Sequence, residues 1–167
     1  MQRYVGIDLG GTNIKGALVS ETGKILKQRS VPTHAEAGAE AVAKAIAAMI
    51  CALAEGESVS GVGMGCPGTV DDREGTVVYA CNLGWVHYDV RTALRELTGY
   101  SVRLVNDANA AALAEAAVGA AKGAQSAVVV TLGTGVGGGV VLDGKLLTGY
   151  SGAASELGHM VIVADGE

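Results

Sequence analysis

Apolar and polar positions alternate at the start of the chain. Val5, Ile7 and Leu9 are interleaved with Gly6 and Asp8, which predicts a strand over 4–9. Runs over 14–19 and 25–31 follow across turns at Gly10-Gly11-Thr12-Asn13 and Glu21-Thr22-Gly23-Lys24. The chain therefore opens as a three-stranded meander, ended by Pro32-Thr33. The period then changes. Over 36–55, Ala41, Val42, Ala45, Ile46, Met49, Ile50 and Leu53 recur at helical spacing, one apolar stripe suited to packing on a sheet. A strand over 58–65 returns through Val59, Val62 and Met64 and turns sharply at Gly65-Cys66-Pro67-Gly68. A small hairpin is expected within 69–79, with Asp71, Asp72 and Glu74 at a solvated tip.

Asn82-Leu83-Gly84-Trp85 follows, and Trp85 with Tyr88 is read as packing rather than as a stacking surface. Asp89 is placed as the N-cap of a helix over 90–98, which Gly99 stops. A strand over 102–105 delivers Asn106-Asp107, and an alanine-rich helix occupies 108–118. After a loop over 119–125 come a strand over 127–132, a glycine-rich turn over 133–139 and a strand over 140–142. Asp143-Gly144 makes a hairpin turn, and 145–147 is the return strand. Strands alternating with helices in this way define an α/β chain.

Composition narrows the function classes. Of 167 residues, 49% are hydrophobic and 17% charged, which supports a packed core and excludes a disordered chain. The net charge of -5, without a Lys/Arg cluster, argues against a general nucleic-acid binder. Three unpaired cysteines, Cys51, Cys66 and Cys81, fit a reducing cytoplasm. The apolar stretch near 41–54 contains Lys44 and is too short to span a bilayer, so no membrane is expected.

The candidate chemistry centres on Asp107. A carboxylate at the carboxyl end of a strand stands where α/β sheets hold ligands. It can take a proton from a hydroxyl that the neighbouring Asn106 amide orients. Two glycine-rich turns flank it in sequence. Gly133-Thr134-Gly135-Val136-Gly137-Gly138 has the spacing G-x-G-x-x-G. A dinucleotide fold needs a helix directly after those glycines. A β-branched run and an Asp-Gly turn follow instead, and no G-K-[ST] ending is present, so neither a Rossmann nor a P-loop site is expected. What remains is bare backbone able to approach phosphate oxygens. Asp8-Leu9-Gly10-Gly11-Thr12-Asn13 is a second such turn, with Asp8 placed to hold Mg²⁺ through water.

These segments, in this order, together with Asn106-Asp107-Ala108-Asn109-Ala110-Ala111 and Glu156-Leu157-Gly158-His159, resemble the ROK family of sugar kinases and sugar-responsive repressors. The resemblance is strongest toward its bacterial glucokinases. It implies an α/β actin-like ATPase, or ribonuclease-H-like, fold, with a first lobe over 1–105 and part of a second lobe over 106–167. It implies that ATP phosphates are bound by Gly10, Gly11, Thr12, Gly133, Thr134, Gly135, Val136 and Gly137, a cofactor site that Asp8, through Mg²⁺, and the Asn13 amide complete. Asp107 would be the base, and Gly68, Asn82, Asn106, Glu156 and His159 would line the sugar site. The implied reaction is ATP-dependent phosphorylation of glucose to glucose 6-phosphate by a cytoplasmic homodimer. Fructose, N-acetylglucosamine or N-acetylmannosamine are the alternative substrates.

In the family the histidine at the His159 position also ligates zinc, with three cysteines that follow it. The sequence ends at Glu167 before any such cluster, so no zinc is expected. The chain is accordingly expected to be a shortened form of a longer kinase, inactive or weakly active on its own. A repressor of the family would place a helix-turn-helix ahead of Asp8. A first strand starting at Arg3 favours the kinase over that alternative.

Overall fold

The computed structural model describes residues 2–133, 135–150 and 152–163. They form two compact units that divide between Asp107 and Ala108.

The first unit is built on five strands: β1 (Arg3–Leu9), β2 (Asn13–Ser20), β3 (Ile25–Pro32), β4 (Gly61–Cys66) and β8 (Val102–Asn106). Their spatial order is β3-β2-β1-β4-β8. The expected meander is the antiparallel part, with Asp8 opposite Lys15 and Ile14 opposite Val31. β4 and β8 add in parallel, with Asp8 beside Gly65 and Cys66 beside Asn106. One face of this sheet is apolar, through Val5, Ile7, Leu9, Ile14, Leu18, Val62, Met64, Val102 and Leu104, all buried. Two helices cover it, α1 (Ala39–Ala54) and α2 (Val90–Thr98).

Helix α1 buries Val42, Ile46, Met49, Ile50 and Leu53, the stripe visible in the sequence. It approaches β2 closely because Gly16 has no side chain. A Cβ there would collide with the Met49 sulfur and lie 2.9 Å from Leu53 Cδ1. Helix α2 is fixed at both ends as the sequence suggests. Asp89 Oδ1 accepts from the Thr92 N–H at 2.9 Å, and Gly99, at φ 76°, donates to the Arg95 carbonyl. The Thr92 amide holds the Asp89 carboxyl below the usual range.

A second, three-stranded antiparallel sheet comprises β5 (Thr69–Asp71), β6 (Thr76–Ala80) and β7 (Trp85–Asp89). The expected hairpin is its first two strands, and the tip is an Asx turn in which Asp71 Oδ1 accepts from the Arg73 and Glu74 N–H groups. The sequence pattern does not mark β7. Its only strong inward residue is Trp85, 2% exposed and 4.9 Å from the Tyr88 ring, which fits the packing role expected for it. The Arg91 guanidinium donates to the Asp72, Arg73 and Val102 carbonyls and so ties this sheet to α2 and β8.

The second unit contains α3 (Asp107–Val118), whose first residue belongs to the first unit, and a sheet of β9 (Ala127–Leu132), β10 (Val136–Leu142) and β11 (Lys145–Leu146). Asp143 and Gly144, at φ 49° and 73°, make the two-residue turn that the Asp-Gly pair predicts. The glycine-rich segment corrects the sequence reading. Gly133 and Gly135 lie outside the strand, and Val136 to Gly139 already belong to β10. The cause is packing. A Cβ on Gly137 would lie 3.0 Å from Ala108 Cβ, and one on Gly139 would lie 2.5 Å from Ala112 Cβ and 2.9 Å from the Ala108 carbonyl. On the opposite face, a Cβ on Gly138 would lie 2.5 Å from Leu157 Cγ. Part of the glycine content thus serves the close approach of a helix.

Candidate active site

Parallel strands β1, β4 and β8 end together, and three of the sequence-selected segments lie at those ends. β8 finishes at Asn106, and Asp107 opens α3 one residue before the expected helix start. The Asn106 side-chain N–H donates to the Gly68 carbonyl at 3.1 Å. Gly68 is in the turn after β4 at φ 84°, and a Cβ there would fall on the Tyr79 carbonyl and 2.9 Å from Ala80 Cα. Only glycine fits that position. The turn, the β6 backbone and Asn106 are therefore joined around one point.

Cys66, fully buried beside Asn106 in the sheet register, is a neighbour that sequence reasoning did not select for the site. Burial, and secondarily the nearby Asp107 charge, push its thiol up to about 12. No local motif marks it. Its place follows only from the β4–β8 register.

The first glycine turn, Gly10 to Thr12, joins β1 to β2. The Gly10 N–H donates to the Asn13 carbonyl at 3.0 Å, which closes the turn. Gly11 and Thr12 are exposed, and their N–H groups donate to no protein acceptor among the described residues. Asn82 lies against this turn. A Cβ on Gly11 would be 3.2 Å from Asn82 Cβ. The first unit thus brings Gly11 to Asn82 and Gly68 to Asn106, while Asn13 is the first residue of β2. Asp8 is exposed on the sheet face away from α1. It lies between Lys15 on β2 and the buried Gly65 on β4.

In the second unit Gly133 and Gly135 are open, with nothing within 4 Å of an added Cβ. Val136 and Gly137 lie in β10, and Thr134 lies outside the described residues. Glu156 and His159 are partly or largely exposed, at the start and end of a short 3₁₀ turn, with Oε2 4.0 Å from Nε2. Among the described residues no three His, Cys, Asp or Glu side chains gather as metal ligands. Among the described residues, no helix is long and apolar enough to cross a membrane.

The fold and the strand-end site define a class, the actin-like ATPase fold of sugar kinases. The sequence matches the ROK family over residues 4–167, and the chain belongs to that family. It is 44% identical to the glucokinase of Thermotoga maritima, over 98% of this chain and 52% of that protein. A ROK family glucokinase from Streptomyces griseus, in complex with glucose and AMPPNP, superposes with a TM-score of 0.90 at 40% identity, over 98% of this chain and 52% of the other. The ROK hexokinase of Thermus thermophilus gives 0.88 at 41%, over 99% and 55%. The chain thus spans about half the length of the relatives it matches.

Proposed function

We propose that the protein carries the sugar- and phosphate-binding half of an ATP-dependent glucose kinase. The observation that carries this reading is the junction at the strand ends. A carboxylate, Asp107, directly follows an amide, Asn106, that is already oriented by the Gly68 carbonyl. Such a pair suits a polyol, which offers hydroxyls as both donors and acceptors. Asp107 would accept the proton of the attacking sugar hydroxyl, and Asn106, Asn82, Gly68, Glu156 and His159 would orient the ring. Similarity to glucokinases at 38–44% identity supports glucose as the sugar.

Phosphoryl transfer requires positioning and charge neutralisation more than covalent chemistry from the protein. The open N–H groups of Gly11 and Thr12, with Gly133, Thr134, Gly135, Val136 and Gly137 in the second unit, would bind the ATP phosphates. Asp8 would hold Mg²⁺ through water, and the ion would neutralise phosphate charge. Cytoplasmic location as a homodimer belongs to the same reading, and light scattering after size exclusion tests the dimer.

The deciding experiment is a coupled ADP-release assay of this chain, and of the longer gene product if one exists, with glucose, fructose, N-acetylglucosamine and N-acetylmannosamine. Glucose is expected to give the highest kcat/KM. ADP release independent of every hexose would sink the proposal.

A further inference from the structure

Thr33 follows β3 and belongs to none of the motifs above. It is 2% exposed, uncommon for a hydroxyl residue. Its Oγ1 donates to the Gly10 carbonyl at 2.6 Å, and its backbone N–H donates to the Thr12 carbonyl at 2.9 Å. With Asn13 accepting from the Gly10 N–H, three carbonyls of the glycine turn are committed to internal donors. In a trans peptide the C=O and the next N–H point to opposite sides. Drawing the Gly10 carbonyl onto Thr33 therefore turns the Gly11 N–H away from Thr33. The Gly11 backbone rests on Asn82, so the turn has a second support.

We propose that Thr33 is a positioning residue that locks the turn with the Gly11 amide presented to an anionic phosphate oxygen. The inference rests on the phosphate role proposed above for Gly10 to Thr12. Without the hydroxyl, the Gly10–Gly11 peptide is free to rotate. A rotated carbonyl would present negative charge where a donor is needed. A valine at position 33 keeps the shape of threonine and removes the donor, whereas serine keeps the donor.

The test is an NMR titration of the ¹⁵N-labelled chain with inorganic triphosphate, comparing wild type, Thr33→Val and Thr33→Ser. In wild type and Thr33→Ser the Gly11 and Thr12 amide resonances should move with similar affinity. In Thr33→Val the affinity should fall about tenfold, the loss expected when a partly buried acceptor loses its donor. Resonances from β4 and α1 should stay in place, which separates this outcome from general unfolding. If Thr33→Val does not fold, Thr33→Cys, with a poor donor of similar size, takes its place with the same expectation. Wild-type affinity in the donor-deficient variant would overturn the role of Thr33 alone. Unmoved Gly11 and Thr12 amides in wild type would overturn the phosphate role of the turn itself.

Discussion

The side-chain amide of Asn106 donates to the main-chain carbonyl of Gly68 at 3.1 Å, so the end of β8 is fastened to the turn that leaves β4. Asn106→Asp replaces that donor by a carboxylate oxygen facing a carbonyl. The bond is solvent-exposed, and the loss of such a bond costs about 0.5–1.5 kcal/mol. Glucose affinity measured by calorimetry should fall by up to roughly tenfold. Affinity equal to wild type would remove Asn106 from the sugar site.

Asp107→Asn keeps the size of the side chain and removes its basicity. If Asp107 is the base, kcat should drop by about 10²–10⁴ while glucose affinity stays within a few fold. Single-turnover ADP formation and calorimetry on the same variant separate the two quantities. Undiminished turnover would assign the proton to another group.

The Cys66 thiol gives a pH dependence with a definite sign. Its folded value is pushed up to about 12 by burial, with Asp107 contributing, whereas an unfolded thiol titrates near 8.5. The folded state thus retains a proton that the unfolded state loses. The contribution to stability is full below about pH 8.5 and declines as pH rises toward the folded value. Urea midpoints of wild type and Cys66→Ala should therefore converge between pH 7 and pH 10.5, where a constant gap would contradict the assignment. In the native protein at neutral pH, a thiol reagent should modify the exposed Cys51 and Cys81 and reach Cys66 only on unfolding.

The glycine-rich segment should divide into two classes on substitution. At Gly139 an alanine Cβ would lie 2.5 Å from Ala112 Cβ, so Gly139→Ala should lose about 1–3 kcal/mol by overpacking. At Gly133 the space is open. Gly133→Ala should melt like wild type and lose nucleotide affinity, if that backbone approaches a phosphate. Equal melting temperatures for the two variants would contradict the packing account of Gly139.

Much of the first unit is legible in the sequence because its signals are local. Alternation gives β1 to β3, the Val42 to Leu53 stripe gives α1, and Asp89 with Gly99 gives both ends of α2. β7 is not legible, since Trp85 supplies its one strong inward signal within a polar, exposed run. The glycine run misleads for a physical reason. Absence of a side chain looks the same in sequence whether a ligand or a helix is to come close, and at Gly137 and Gly139 it is α3 that does. Asp107 is legible as a strand-end carboxylate. Cys66 and Thr33 are not, because their roles arise from the β4–β8 register and from the packing of a segment more than twenty positions away in sequence.

The strand order has a kinetic consequence. β1 (Arg3–Leu9) and β8 (Val102–Asn106) lie near opposite ends of the first unit in sequence, with only β4 between them in the sheet. Helices and the opening meander can form from nearby residues, but parallel pairing must wait for long loops to close, which slows folding. Asp8, Gly68 and Asn106 come into one neighbourhood only at that late step. A partly folded chain can hold most of its helix and its antiparallel strands and still lack the junction of Gly68 and Asn106.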